Sequence, residues 1–386
     1  MRIIYMLSEN LNKTSGIVHF MAVTKGLQKL GHSVSILGPR YHRQFRKPEN
    51  VHGFYIPVPG RNVFSFVLFQ FLVPLLFPVI YLLYRPDVIL IRGGGGLGFL
   101  VHIIARLCRV KVVLEVNGIP WLELIARGFS RWLAKISKLL MSIECRTANH
   151  VIAVTPLIAE DLICASGISP QKVTVIQNGA DPDEFNRDNR SSKRLDMSIQ
   201  PDKLVIGFIG FFSPWHGSKE IIESALFISP EIKEKIVYLM VGHGEGWHEA
   251  KQMVIDKGLE DIVRLPGRAS RAQVADYLSI FDVGMLINSC EGITRNGTSP
   301  LKFWEYLAAG LPVIISDNLN LNPIVRNENM GLILTESSPQ NIAKAIEEIF
   351  RKRDDFAEIG KRNRKLVEEK YSWSEVSKKV SEVLAG

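Results

Sequence analysis

Cysteine is scarce: the 386 residues hold four, Cys108, Cys145, Cys164 and Cys290, widely spaced and without a CxxC pair. Such spacing suggests neither a zinc site nor a disulfide framework, and a reducing, cytosolic setting is expected. No signal peptide is expected either, because MRIIYML carries one charge and runs straight into polar SENLNKTSG, the pattern of a first strand. The sequons at Asn12, Asn189 and Asn296 therefore carry little weight. Acidic residues are short in one half only. Residues 1–200 hold 13 Asp and Glu against 24 Lys and Arg, a net +11, whereas the remainder holds 26 against 23, a net −3. That asymmetry points to an anionic partner for the first half, membrane or nucleic acid, against the simpler reading of a soluble basic surface.

What is present is an ordinary globular balance, 46% hydrophobic and 22% charged, with length enough for two domains. Short β-branched runs alternate with helical stretches, the signature of parallel βαβ units. Strands are expected at residues 2–7, 33–38, 87–91, 111–116, 151–155 and 173–176, and the pattern restarts at 204–209, 236–241, 262–265, 282–287 and 312–316. Gly31 suits the left-handed end of the first helix, 17–30. The polar stretch NRDNRSSKRLDMSIQPD separates the two blocks. Two doubly wound domains follow, 1–186 and 203–370, with a linker at 187–202 and a last helix at 371–386 that packs on either domain.

One segment departs from soluble α/β behaviour. Residues 62–84 contain no charge and are long enough to span a bilayer by count. Pro74 and Pro78 are expected to interrupt the run, and it falls between strands of one sheet, so a buried core helix or a surface dipping into the lipid interface are the two readings kept. Nearby, RGFSRWLAKISK spaces Arg127, Arg131, Lys135 and Lys138 three or four apart, with Phe129, Trp132, Leu133 and Ile136 between them. A basic aromatic helix of this kind favours an anionic membrane surface, and no nucleic-acid partner is expected.

The chemistry concentrates in residues 299–317, SPLKFWEYLAAGLPVIISD. A helix begins there after a Gly/Thr/Ser-rich loop containing Gly297, Thr298 and Ser299, so its amides and positive dipole end suit a phosphate. Lys302 in the first turn can neutralise a diphosphate, and Glu305 one turn on can accept two hydrogen bonds from a ribose diol. This stretch resembles the donor-site motif of family-4 glycosyltransferases with the GT-B fold. The likeness extends over nearly the whole chain, through residues 150–185, the glycine turn IGFIGFFSPWHGSKEII with Gly210, and residues 263–289. It implies two Rossmann-like α/β domains facing each other across a cleft, with Glu305 on the nucleotide ribose.

Two departures stand out. A second glutamate common in the family is replaced by Gly297, and Phe211 and His216 occupy the places of a diphosphate-clamping Arg and Lys. Lys302 restores part of that charge, with Arg268 and Arg295 as further candidates. In the first domain the resemblance sets the turn Thr14-Ser15-Gly16 against the donor diphosphate. The strand end LEVNGIP lies where α/β sheets place ligands; there Asn117 suits a sugar hydroxyl, and Glu115 is either a base or an internal hydrogen-bond partner. The run GGGGLG at 93–98 fits a dinucleotide fingerprint but follows the wrong strand, so it reads as close helix–strand packing and no redox cofactor is expected.

The resemblance thus implies retaining transfer of a sugar from a nucleotide-sugar donor in the second domain to an acceptor in the first, Lys302 stabilising the leaving diphosphate. No metal or other cofactor is expected. The basic, apolar first domain suggests a lipid-linked saccharide acceptor and a peripheral position at the inner face of the cytoplasmic membrane. The alternatives kept are a non-catalytic, membrane-associated partner on the same fold and a sugar-nucleotide epimerase.

Overall fold

The computed structural model describes residues 1–8, 16–41, 48, 51–60, 63–94, 96–126, 128–213, 215–288 and 299–386. The expected site residues Gly297 and Thr298, with Thr14, Ser15, Arg127 and Arg295, lie outside them. The chain divides into two compact units, the first built on Met1–Asn178 with Ser299 and Trp373–Gly386, the second on Gly179–Arg295 and Pro300–Ser372.

In the first unit seven parallel strands, β1 (Arg2–Leu7), β2 (Ser33–Arg40), β3 (His52–Pro57), β4 (Val88–Arg92), β5 (Lys111–Val116), β6 (His150–Ala153) and β7 (Val173–Val175), lie in the order β3-β2-β1-β4-β5-β6-β7. Their interior runs are almost wholly buried, as helices α1 (Gly16–Lys29), α2 (Val63–Tyr84), α3 (Phe99–Leu107), α4 (Pro120–Ala126), α5 (Arg131–Thr147) and α6 (Pro156–Ser166) require of a parallel sheet they cover. The second unit repeats the plan with six parallel strands, β8 (Leu204–Phe211), β9 (Ile236–His243), β10 (Val263–Gly267), β11 (Val283–Leu286), β12 (Val313–Ser316) and β13 (Gly331–Leu334), in the order β10-β9-β8-β11-β12-β13. Sequence reasoning missed β3 and β13. Both are edge strands whose residues are mostly only partly buried, β3 opening on His52 and Gly53 and β13 only four residues long.

The polar stretch expected to be a linker is folded into the second unit. It forms a helix, Arg190–Asp196, whose Arg190 and Arg194 meet Asp282 at 2.5 and 2.6 Å while Asp282 also accepts from the Val205 amide at 2.8 Å. Arg190 and Arg194 face the half-buried Asp282 carboxylate and a set of carbonyls instead of solvent, which is why the stretch lacks an apolar period. The crossing between units falls earlier, at Asn178–Gly179. The last helix, Trp373–Ala385, belongs to the first unit, where it lies so close to α1 that a Cβ at Gly26 would overlap the Ser377 side chain.

Helix α2 runs unbroken through Pro74 and Pro78. Each proline forfeits the bond its own N–H would have made and crowds the carbonyl four residues back, but in apolar surroundings the helix satisfies the rest of the backbone. One stripe, Phe69, Val73, Phe77 and Ile80, is buried in the core. The opposite side stays exposed, with Leu75 at 74% and Leu83 at 73%. The helix is therefore core on one face and bare apolar surface on the other.

Candidate functional site

In the first unit the parallel register sets Arg92, last in β4, beside Glu115 in β5. Glu115 is buried, and both of its oxygens are engaged. Arg92 Nη1 donates to Oε1 at 2.9 Å, Asn117 Nδ2 donates to it at 3.0 Å, His19 Nε2 stands 2.5 Å from it, and the Tyr5 hydroxyl donates to Oε2 in a short hydrogen bond. Burial raises the pKa of Glu115, but His19, Arg92 and Tyr5 outweigh it and hold the carboxyl well below its usual range. A carboxylate so enclosed is a poor proton acceptor; its geometry is that of the internal hydrogen-bond partner. What it orients is Asn117 and His19.

His19 escaped sequence reasoning because a lone histidine on an amphipathic helix carries no motif. Its Nδ1 lies 2.7 Å from Asn178 Oδ1, its ring packs edge-on against Trp373 with centroids 5.2 Å apart, and Asn178 Nδ2 donates to the Ser299 carbonyl at 2.6 Å. Gly16 opens α1 one turn before it. Two glycines of the 93–98 run serve packing: a Cβ at Gly94 would overlap Met141, and one at Gly98 would overlap Glu144. Glu115→Gln is expected to leave Arg92 buried without its anion and to cost about 3–5 kcal/mol of stability. Denaturant unfolding checks this, and a loss below about 1 kcal/mol, the worth of an ordinary hydrogen bond, would show that the cluster is not an ionic one.

In the second unit the helix Leu301–Ala308 is buried on nearly every side. Tyr306 fixes its rotation, because its hydroxyl accepts from the Ile209 amide at 2.9 Å and donates to the Met285 carbonyl at 3.2 Å, tying β8 and β11 to one side chain. Trp304 stacks on Tyr371 at 4.3 Å between centroids. Lys302 is thereby aimed at the end of β8. Its ammonium lies 4.9 Å over the Phe208 ring, and a Cβ at Gly210 would come within 3.3 Å of it. Nζ is buried and has no hydrogen-bond partner among the described residues. Burial pushes its pKa down to about 8.

Glu305, one turn on, is also buried, which raises its pKa against the pull of Arg271. The Arg271 guanidinium makes a short bond to Glu305 and a fork to Glu184 at 2.6 and 2.9 Å, and lies 4.8 Å from the Phe185 ring. Burial, and then Lys302, lower the pKa of His216 to about 4. At neutral pH its ring is uncharged, and Nδ1–H donates to the Phe211 carbonyl at 2.6 Å. Arg268 is exposed. The structure thus gathers Gly210, His216, Lys302 and Glu305 in one place and keeps Glu115, Asn117 and Ser299 in the other unit. Asp181-Pro182-Asp183 spells a DxD, yet Asp181 Oδ1 accepts from the Asp183 amide at 3.1 Å, and no group of three or more His, Cys, Asp or Glu side chains fit for a metal occurs among the described residues.

The family model for Glycosyltransferase Family 4 matches residues 17–184, and that for Glycosyl transferases group 1 matches residues 189–373. The chain is a family-4 glycosyltransferase. A D-inositol 3-phosphate glycosyltransferase of Catenulispora acidiphila is 24% identical to it over 52% of this chain and 47% of that protein. This family-4 chain spans about half the length of the curated relatives it matches there. An uncharacterised glycosyltransferase of Methanocaldococcus jannaschii is 17% identical over 72% and 69% of the two chains. Among solved structures, Anabaena HepE in complex with UDP superposes with a TM-score of 0.75 at 16% identity, over 100% of both chains. WaaG, a glycosyltransferase involved in lipopolysaccharide biosynthesis, gives 0.74 at 12%, again over 100% of both. The two parallel-sheet, Rossmann-like units are those of the GT-B fold.

Proposed function

We propose that this glycosyltransferase moves a sugar, with retention, from a nucleotide-sugar held by its second unit to a lipid-linked saccharide held by its first, at the inner face of the cytoplasmic membrane. The observation that carries the donor half is Lys302. A buried ammonium without a hydrogen-bond partner among the described residues, set in the first turn of a helix, is an unfavourable arrangement until an anion arrives. A diphosphate supplies that anion, and the charge it develops on leaving is what Lys302 stabilises. Glu305 takes the ribose. The UDP complex of HepE supports a UDP-type donor. Warming the full chain with UDP, GDP and their sugars tests this: a rise in melting temperature with one nucleotide series is expected, and none with any nucleotide overturns it in favour of a non-catalytic fold relative.

The acceptor half rests on the bare apolar surface of the first unit. Phe64, Phe71, Leu75, Leu82 and Leu83 of α2 and Ile103 and Leu107 of α3 are exposed, as are Trp132 and Leu133 of α5 beside Arg131, Lys135 and Lys138. A face that is apolar and rimmed with cations suits an anionic lipid surface. The name of the lipopolysaccharide enzyme WaaG agrees with a lipid-anchored acceptor. Each inserted leucine contributes on the order of 1.5–3 kcal/mol, so Leu75→Ser with Leu83→Ser is expected to weaken vesicle binding at least tenfold, about 1.4 kcal/mol. Flotation with anionic liposomes checks it, and unchanged flotation of the double variant removes α2 from the contact.

A further inference from the structure

The starting ends of the strands, opposite Glu115 and Asn117, carry a second concentration of charge. There β5 begins with Lys111 and β6 with His150. Together with Arg106 from the last turn of α3 and Arg109 from the turn after it, they line a cavity of about 470 Å³. That lies within the ~300–1,000 Å³ of small-ligand sites. No Asp or Glu lines it. The exposed guanidinium groups of Arg106 and Arg109 have neither hydrogen bond nor ion pair among the described residues, Gly386 at the cavity wall included.

The other cations are held in place. Lys111 Nζ donates to the carbonyls of Val383 and Leu384 at 2.8 and 3.2 Å, and Lys172 Nζ donates to that of Arg146 at 2.8 Å. Burial, then the charges of Lys111 and Lys172, lower the pKa of His150, whose Nε2 is already 2.8 Å from Thr174 Oγ1. Arg109 has a φ of 57°, a left-handed conformation that glycine adopts freely and that costs a non-glycine residue on the order of 1 kcal/mol. An arginine kept there, among like charges, is poor design for stability alone. It makes sense if an anion joins them.

Position narrows the anion. Leu107, between the two arginines in sequence, is 80% exposed, and the Tyr81 hydroxyl of α2 donates to the Cys108 carbonyl at 3.4 Å, so the last turn of α2 with Leu82 and Leu83 lies alongside. We infer that the pocket of Arg106, Arg109, Lys111 and His150 is a binding site for a phosphate monoester or diphosphate, placed beside the apolar surface. Guanidinium forks match phosphate oxygens, and a phosphate presented there by a lipid headgroup leaves the acyl chains over α2 and α3. A soluble phosphate offers the pocket the same chemistry. Only the lipid source leans on the membrane reading, and neither source depends on the donor site.

The test uses the full chain and R106Q/R109Q, with R106K/R109K as the charge-conserving control. One arm titrates inorganic pyrophosphate calorimetrically, with Lys302→Met alongside to separate binding at the donor site. The other measures flotation with phosphatidylcholine vesicles carrying phosphatidic acid, against vesicles of equal charge carrying phosphatidylglycerol. R106Q/R109Q is expected to lose about tenfold in one or both arms while nucleotide stabilisation is unchanged, and R106K/R109K to recover part of the loss. A loss confined to phosphatidic acid assigns a lipid source, and one confined to pyrophosphate a soluble source. If R106Q/R109Q matches the wild type in both arms, or pyrophosphate binding is lost only in Lys302→Met without any phosphatidic acid preference, the pocket is not a phosphate site.

Discussion

Lys302→Met is expected to make the protein more stable and nearly inactive. Methionine is apolar and of similar length, so it fills the same space over Phe208 and beneath Gly210 without a charge to desolvate. Burial lowers the pKa of Lys302 from 10.5 to about 8. A tenfold change in a protonation equilibrium corresponds to about 1.4 kcal/mol, so keeping the lysine charged costs the fold about 3 kcal/mol near neutral pH. The sign follows from the direction in which the pKa moves. Between pH 8 and 10.5 the unfolded chain binds the proton and the folded one does not, so wild-type stability rises with pH through that window, and below pH 8 the penalty is complete. Lys302→Met lacks this slope and melts higher at pH 7, at roughly 2–4 °C per kcal/mol for a unit of this size. Catalysis moves the other way, because removing one preorganised charge from a developing anion costs about 10²–10³ in kcat. Nucleotide affinity in the wild type falls as pH rises through 8, where the ammonium is lost, and in Lys302→Met it does not. A variant that melts lower and binds nucleotide as before would show that the lysine serves only the fold.

Much of this candidate site was legible because the residues proposed for it are close in sequence. Lys302 and Glu305 share one helix face, and the glycine end of β8 is marked by its own turn. Arg271, which holds Glu305, was not legible. The two lie 34 residues apart and meet only because the fold brings Arg271, first in the helix Arg271–Ile280, to Glu305. The partners of Glu115 come from β1, α1 and β4, so only the sheet order brings Tyr5, His19 and Arg92 to one carboxylate. The alternation of strands and helices was readable wherever strands are buried on both faces. It failed at two of the four edge strands, β3 and β13, and at residues 187–202, where arginines turned inward onto Asp282 look like a solvated linker. The exposed face of α2 was half legible: composition shows an uncharged helix, while only packing shows which stripe remains bare.

Glu305→Ala is expected to abolish nucleotide stabilisation and leave the fold intact. The fold survives because Arg271 keeps its fork to Glu184, so the substitution strands no buried cation. What is lost is the acceptor for the ribose diol. Two hydrogen bonds to a carboxylate in a buried site are together worth about 2–4 kcal/mol net, a roughly 30- to 1,000-fold loss of affinity. The present contact adds a condition: Arg271 already satisfies one oxygen of Glu305, so a bound ribose shares the carboxylate with the guanidinium, and the fork to Glu184 holds Arg271 in place while it does. Comparison of UDP with 2′-deoxy-UDP then isolates the contact. The wild type is expected to prefer the ribonucleotide by about tenfold or more, the worth of one charge-assisted hydrogen bond, and Glu305→Ala to bind both equally weakly. If the preference persists in the variant, the 2′-hydroxyl is held elsewhere, and Glu305 is a structural partner of Arg271 alone.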